Sequence, residues 1–260
     1  MRLRLLPLLL AIAFVAGCAG TLEEDDPTEG LTDGEIYANA KQELDTGDYP
    51  TAIDLYERLE ARYPYGPYAE QARLEVAYGY YKNHEPESAI VAADRFIKLH
   101  PRHPNVDYAY YLRGLATFDQ SDSFLFRFFR QNIHERDARV ARESFQYFSE
   151  VAERFPTSRY AADSIARMVH LRNRLAEYEL FVADYYMRRG AYLAAANRGK
   201  YVLETYPNTP SVKNALEMMI GAYQSLGLDD LAADAQRVWE LNFKASQPQA
   251  QGAQNNEAVD

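Results

Sequence analysis

The sequence predicts an all-α protein, a solenoid of five helical hairpins that pack one after another. Three observations lead to this fold class: a segment that recurs along the chain, an apolar helix face that the copies share, and prolines that follow the same helix in four of them. Two pairs of copies are spaced by 37 residues, Gly47 to His84 and Gly190 to Gly227. A fixed period of roughly 20–50 residues is typical of repeat proteins whose stacked units share one continuous core.

The five copies share an apolar face that starts at a small residue. Positions 4, 7 and 11 residues after this anchor lie on one side of an α-helix, which turns once every ~3.6 residues. The anchors are Ala52, Ala89, Ser144, Ala195 and Ala232. The positions that follow are Tyr56, Leu59, Tyr63, Ala93, Phe96, His100, Phe148, Val151, Phe155, Gly199, Val202, Tyr206, Gln236, Trp239 and Phe243. All of these except Gln236 are small, apolar, aromatic or histidine, so this seam predicts the buried face of the second helix of each hairpin.

Prolines mark the ends of the predicted helices. Four second helices are followed by one, at Pro64, Pro101, Pro156 and Pro207. Proline does not fit a helix interior and disfavours helix in the residue before it. An apolar segment precedes each second helix, such as residues 69–82, and supplies the first helix of the hairpin. Thr209 is a residue type that caps helices, so we expect it to cap the helix that begins at Pro210.

The first 17 residues have the organisation of an export signal. Arg2 and Arg4 precede an apolar run from Leu5 to Ala16. This run of about a dozen residues is too short to span a bilayer, which takes roughly 20. A basic start, a short apolar core and small residues near the cleavage point describe a secretory signal peptide. Cys18, the single cysteine of the chain, follows directly.

The residues before Cys18 explain its presence. Val15-Ala16-Gly17-Cys18 resembles the lipobox of bacterial lipoproteins. The resemblance implies cleavage before Cys18, acylation of its sulfur and of the new amino terminus, and a stable membrane anchor, because one acyl chain alone holds only marginally. Ala19 in the next position implies the outer membrane, facing the periplasm. The alternative is an ordinary signal peptide with an incidental cysteine.

The regions that flank the repeats differ from them in composition. Residues 18–33 are expected to form a lipidated acidic tether, since they hold six acidic residues and no basic one. Fifteen extended residues reach at most ~50 Å from the membrane. Residues 245–260 are rich in Gln, Ala and Asn, a composition that predicts a disordered tail.

Residues 34–244 are assigned to the five repeats, with boundaries near 34–67, 68–104, 105–158, 159–209 and 210–244. Two intervals between anchors exceed the 37-residue period, one by 18 residues and the next by 14. We place the first insertion near 120–137, between the two helices of repeat 3, where it serves as a cap or as a contact with lipid or a partner. The second is expected to lengthen the first helix of repeat 4 within 160–189, because fourteen residues make close to four helical turns.

Charge and motifs exclude several classes of function. Loss of Arg2 and Arg4 with the signal peptide moves the net charge from −10 to −12, whereas a nucleic-acid-binding protein shows a basic excess. Phosphate-loop, dinucleotide-binding and zinc-protease motifs do not occur in the sequence. His100 and His103 have the spacing of a metal pair, but His100 occupies a seam position that is aromatic in other copies. We therefore expect no metal, no cofactor and no catalytic residue.

A binding surface remains as the source of function. In a helical-hairpin solenoid the first helices line a concave groove. Aromatic side chains with few charges suit an extended, unfolded peptide. The alternative is that several of these side chains belong to the core. The groove candidates are Tyr37, Lys41, Leu74, Tyr78, Tyr81, Tyr108, Tyr111 and Phe118.

The small anchor, the aromatic four residues later and the terminal proline resemble the tetratricopeptide repeat. Three longer stretches, residues 63–82, 103–118 and 155–192, together with the lipobox, resemble the BamD family of lipoproteins from the β-barrel assembly machine. The resemblance implies a non-catalytic scaffold that binds BamA through repeats 4 and 5, joins other Bam lipoproteins and engages unfolded outer-membrane proteins through its N-terminal repeats. It also implies that Arg198 contacts BamA, unless Arg198 is an ordinary exposed arginine.

Two other functions stay open at this point. A lipoprotein of the same architecture can act as a pilot that assists assembly of a secretin. A cell-wall hydrolase belongs to a different class, and it requires catalytic carboxylates that the sequence does not single out. Isolation of the partners from native membranes and an assay on peptidoglycan separate these alternatives.

Overall fold

A computed structural model of the chain describes residues 26–121 and 135–244. Within these ranges the protein forms ten α-helices and no strand, which confirms the all-α fold class. The signal peptide, Cys18, the tail 245–260 and most of the insertion at 120–137 lie outside the described residues.

The helices form five hairpins, each with a first or A helix and a second or B helix. They are α1 Asp33–Thr46 with α2 Tyr49–Arg62, α3 Ala69–Lys82 with α4 Pro86–Leu99, α5 Val106–Ser121 with α6 Glu135–Arg154, α7 Ala161–Arg188 with α8 Tyr192–Thr205, and α9 Ser211–Ser225 with α10 Asp229–Phe243. Each helix packs against the next one along the chain, and two pairs of A helices also meet, α3 with α5 and α7 with α9. The 28-residue α7 is twice as long as α8. Among the described helices, none combines the length and the apolar character that a bilayer span requires.

Local signals set the helix ends. Thr32 and Glu35 form a reciprocal capping box at the start of α1, and Gly47 ends this helix in a left-handed conformation with φ 92°. Thr209 does not cap α9 as expected. It is buried, and its hydroxyl donates to the carbonyl of Tyr206 at 2.9 Å, which closes the preceding turn instead.

The seam predicted from the sequence forms the core of the solenoid. Four of its five anchors have no exposed surface, and Ala232 is 6% exposed. The other fully buried members are Tyr56, Leu59, Ala93, Phe96, Phe148, Val151 and Val202. Burying a large apolar side chain contributes about 1.5–3 kcal/mol, so this seam is a main source of stability. Trp239 and Phe243 are only half-buried, because no described hairpin follows α10.

One seam position is glycine because two helices approach closely there. A Cβ at Gly199 of α8 would lie 2.6 Å from Cγ of Met219 and 3.0 Å from the carbonyl oxygen of Ala215, both on α9. Any larger side chain would push α9 away, so the small residue sets the spacing between repeats 4 and 5.

The segment before α1 is not a free tether. Residues 26–32 pack against α2, where Thr28 is fully buried and the carboxylate of Asp26 lies 2.6 Å from the guanidinium of Arg62. The expectation of a solvated tether is therefore wrong for these residues, because basic side chains of α2 bind the acidic segment. The preceding residues 18–25 lie outside the described part of the chain.

Candidate functional site

The A-helix surface carries a row of aromatic rings that crosses repeats 2 to 4. The ring centroid of Tyr108 lies 6.5 Å from that of Tyr78 and 5.3 Å from that of Tyr160. Tyr111 stacks on Tyr160 with a centroid distance of 4.7 Å and an interplanar angle of 17°. Offset and tilted arrangements of this kind are favourable between aromatic rings. We name these four rings the tyrosine row.

The tyrosine row meets a polar cluster on α7. Asp163 accepts hydrogen bonds from the hydroxyl of Tyr111 and from Nε of Arg167, each at 2.6 Å. The guanidinium of Arg167 lies over the ring of Phe118, 4.8 Å from its centroid, and Phe118 contacts buried Phe148 edge-on. Burial, followed by the bond to Asp163, raises the pKa of Tyr111 to about 12. Its phenol therefore stays a neutral donor at physiological pH.

The first repeat contributes a separate aromatic pair. Tyr37 stacks on Tyr68 at 4.9 Å and meets Tyr56 edge-on at 5.6 Å. Lys41, which was expected in the groove, pairs with Asp45 on its own helix at 2.7 Å. The structure thus brings Tyr37 close to other aromatic side chains, whereas the charge of Lys41 is engaged within α1.

Two predicted groove residues lie deeper than the surface. Leu74 is 2% exposed and packs in a core cluster with Phe96 and Val106, because α3 is contacted by both α4 and α5. Leu74 is therefore mainly a core residue, although it also lines the cleft along the tyrosine row. Tyr81 is half-buried against the cluster around Leu112, and burial raises its pKa to about 12.

A cleft of about 310 Å³ opens along the tyrosine row between α3, α5 and the turn before α7. Tyr78, Tyr108 and Tyr160 line it, with Leu74 at its floor. Glu75 and Arg159 also line it, so the groove carries more charge than the sequence indicated. Its volume is at the lower end of the roughly 300–1,000 Å³ typical of ligand pockets.

Sequence reasoning missed Tyr68 and Tyr160 because they precede the A helices. Each lies four residues after a helix-ending proline, Pro64 or Pro156, and directly before the alanine that begins an A helix. The recurring Pro-x-x-x-Tyr-Ala pattern was a signal for both. Asp163 and Arg167 were also missed, since only the fold brings them next to Tyr111.

Arg198 forms a second candidate site with residues of α6 and α7. Its Nη1 donates to Oε2 of Glu179 at 2.8 Å, and Glu179 is only 1% exposed. Nη2 of Arg142 lies 3.7 Å from the other carboxylate oxygen. Burial alone would lower the pKa of Arg198, but the hydrogen bond to Glu179, its negative charge and Tyr186 together outweigh burial and raise the pKa. Because the Arg198 side chain is 41% exposed, its surface remains cationic while its position is fixed.

Another charged cluster pairs internally. A cleft of about 770 Å³ lies between α2, α3 and α4, where Glu60 pairs with Arg73 at 2.9 Å and with Arg95 at 2.6 Å. His100 packs 5.3 Å from the ring of Phe96, and burial lowers its pKa. Within the described ranges, no group of three or more His, Cys, Asp or Glu is placed to hold a metal ion.

Together these features define an all-α helical-repeat protein with a row of aromatic rings along its A-helix surface. A family model described as "Outer membrane lipoprotein", YfiO, matches residues 30–238. A protein of Neisseria meningitidis serogroup A is 46% identical over 93% of this chain and 91% of its own length, and one of Vibrio cholerae is 37% identical over 90% and 96%. Both are named outer membrane protein assembly factor BamD. The chain belongs to this BamD family of outer-membrane lipoproteins.

The chain also superposes on the TPR domain of P58(IPK) with a TM-score of 0.42 and 15% identity, over 80% of this chain and 50% of that one. A likeness this distant adds nothing to the fold, which rests on the helical hairpins described above.

Proposed function

We propose that the protein is a non-catalytic scaffold of the outer-membrane β-barrel assembly complex. Lipid on Cys18 attaches it to the periplasmic face of the outer membrane. Repeats 4 and 5 bind BamA, the assembly includes other Bam lipoproteins, and the A-helix surface holds unfolded outer-membrane proteins. The tyrosine row is the observation that carries this function, and membership of a family of assembly factors agrees with it.

The spacing of the tyrosine row suits an extended peptide. A strand rises ~3.3 Å per residue, so side chains on one side of an extended chain recur every ~7 Å. The rings from Tyr78 to Tyr111 follow one another at 4.7–6.5 Å, which is a comparable interval. Strands of outer-membrane barrels alternate apolar with polar residues, so their apolar side can lie on this row.

The charges around Glu179 suit an acidic group of a partner. Two half-exposed arginines share one buried carboxylate, which leaves one positive charge in excess at the surface. Hydrogen bonds between arginine and carboxylate are among the stronger ones in proteins. We therefore assign the contact with BamA to Arg198, with Arg142 beside it.

Peptide binding tests the tyrosine row. A labelled peptide from a strand of an outer-membrane protein is titrated with the protein, and fluorescence anisotropy gives the dissociation constant. Tyr111→Ala combined with Tyr160→Ala removes two stacked rings and is expected to weaken binding roughly tenfold. Tyr201→Ala is the matched control, because Tyr201 is 40% exposed on the B helix α8. Equal affinities for all three proteins would contradict the assignment.

A pull-down from native membranes tests the partners. We expect BamA among the proteins identified by mass, and less of it with Arg198→Lys, which keeps the charge but loses the planar fork. Arg237→Lys is the control, since Arg237 forms an exposed pair with Asp234 on α10. Recovery of a secretin instead would favour the pilot function, and cleavage of peptidoglycan by the purified protein would favour a hydrolase. The mass of the N-terminal peptide reports whether Cys18 carries lipid.

A further inference from the structure

The segment 26–32 is fixed to α2 at its start. Asp26 accepts a hydrogen bond from Arg62 Nη2 at 2.6 Å and one from Arg58 Nη1 at 3.3 Å. Arg62 also donates to the carbonyl of Thr28. Thr28 is fully buried, and its backbone N–H and hydroxyl donate to the same carboxylate at 3.0 and 2.7 Å. We name Asp26, Arg58 and Arg62 the clamp.

The end of the segment is fixed as well. The hydroxyl of Tyr63, just after α2, donates to the carbonyl of Leu31 at 3.0 Å. Leu31 packs against the core of repeat 1, and Thr32 begins the capping box of α1. An exposed ion pair alone contributes little. Here Arg58 and Arg62 hold the start of a seven-residue segment, Thr28 is buried within it, and Tyr63 holds its end. These contacts reinforce one another because they act on the same short segment.

The clamp shortens the part of the chain that can separate the solenoid from the membrane. Eight steps along the backbone lead from Cys18 to Asp26, and extended chain covers at most ~3.5 Å per step, or about 28 Å. Without the clamp, and with Leu31 still held by Tyr63, thirteen steps to Leu31 would allow about 45 Å. Adjacent helices pack ~10 Å apart, so four hairpin steps place repeat 5 about 40 Å from repeat 1. The clamped tether is therefore shorter than the solenoid.

We propose that the clamp holds repeat 1 close to the lipid surface, so that repeat 5 lies on average farther from the bilayer than repeat 1. The proposal rests on the lipid attachment at Cys18 that belongs to the proposed function. It adds that a specific contact between Asp26 and α2 shortens the free part of the attachment and so limits how far repeat 1 can move from the lipid. The surface that repeat 1 approaches is a phospholipid bilayer, and this approach requires no protein partner.

Energy transfer from a dye on the protein to labelled lipid headgroups measures how far each repeat lies from the bilayer. The full-length lipidated protein is placed in vesicles of phosphatidylethanolamine and phosphatidylglycerol and carries one dye at Ala38→Cys on α1 or at Ala233→Cys on α10. Both positions are exposed alanines on helices. Lipid on Cys18 protects the native sulfur from the dye. We expect greater transfer from repeat 1 than from repeat 5.

Opening the clamp should reduce this difference. Arg58→Gln combined with Arg62→Gln opens it from α2, and Asp26→Ala opens it from the other side. The matched control, Arg188→Gln with Arg237→Gln, also removes two arginines, each from an exposed pair within one helix. We expect both clamp variants to show a smaller difference in transfer than the wild type, and the control to match the wild type. Circular dichroism establishes that each variant is folded.

Hydrogen exchange gives a second readout that does not involve the membrane. Amides of residues 28–32 are expected to exchange at least about tenfold faster in the clamp variants than in the wild type. Equal transfer from both dyes in the wild type, unchanged transfer after opening the clamp, or fast exchange of residues 28–32 in the wild type would each overturn the proposal. A second dye on Cys18 together with loss of vesicle binding would overturn the lipid attachment, and the exchange rates would then judge the clamp separately.

Discussion

The carboxylate of Glu179 and the guanidinium of Arg198 form an ion pair of 2.8 Å that faces the core on one side and solvent on the other. Glu179 on α7 is 1% exposed, whereas the side chain of Arg198 on α8 is 41% exposed. A buried carboxylate is tolerated only when it is paired and hydrogen-bonded, and Arg142 on α6 provides a second cation at 3.7 Å. Arg198 therefore supports the packing of α7 on α8 and also presents positive charge at the surface.

Arg198→Glu is expected to weaken the fold as well as partner binding. The substitution places a second carboxylate against Glu179, whose buried charge would keep only Arg142. We expect the free energy of unfolding in urea to fall by about 2–4 kcal/mol. Arg237→Glu, at an exposed pair, should change it by less than about 1 kcal/mol. An unchanged unfolding midpoint for Arg198→Glu would contradict the support assigned to the pair.

Arg113→Lys should destabilise the middle of the solenoid. Arg113 is 9% exposed and joins α4 and α6 through Asp94 at 2.6 Å and Glu150 at 2.9 Å, while its guanidinium lies 4.1 Å from the ring centroid of Tyr147. Lysine cannot reproduce this planar fork, so we expect a loss of about 2 kcal/mol in thermal or urea unfolding. Arg102→Lys, on an exposed turn, is the control and should change stability by less than about 0.5 kcal/mol.

Two glycines should respond oppositely to alanine. At Gly199 the added Cβ meets Met219 at 2.6 Å, so overpacking is expected to cost about 1–3 kcal/mol. At Gly221 the nearest atom, on Met187, is 3.7 Å away, and the higher helix propensity of alanine should stabilise by about 0.5–1 kcal/mol. Urea unfolding of both variants checks the signs. Equal effects would show that the close approach of α8 and α9 is not limiting.

The raised pKa values of several tyrosines predict that the protein loses stability at high pH. The folded-state pKa of Tyr111 is raised from 10.0 to about 12, so its contribution to stability is complete below pH 10 and is lost as the pH rises through about 12. The same value holds for Tyr80, Tyr81, Tyr147 and Tyr206. The part of the phenol absorbance change that Tyr111→Phe removes should therefore accompany the loss of helical circular dichroism, and Tyr111→Phe should make the loss of stability shallower. Ionisation of Tyr111 near pH 10 with intact helices would refute this.

The repeat could be predicted from the sequence because burial in this fold is periodic within single helices. Phe96 and Val202 lie one or two turns from their anchors, and both are fully buried. The burial of Leu74 could not be predicted, because it depends on how α5 packs on α3. The burial of Glu179 likewise depends on Arg142 and Arg198, which lie on two other helices.

Charge alone misled the interpretation of the acidic segment before α1. The residues looked solvated because no basic residue lies among them. Their partners Arg58 and Arg62 stand one helix later, where they also look like ordinary exposed charges. Only the packing of the segment on α2 brings Asp26 to both arginines.

In the described ranges, most helix contacts are between helices that are neighbours along the chain. Fewer contacts join α3 to α5 and α7 to α9, which are two helices apart. Stability in such an array is close to a sum of local terms. Local damage therefore leaves distant hairpins folded, so the two proposed activities should be separable by mutation. A bacterium with a lesion at Tyr78 in repeat 2 should lose part of the proposed precursor capture yet keep the proposed partner contact at Arg198 in repeat 4, and a lesion at Arg198 should do the reverse.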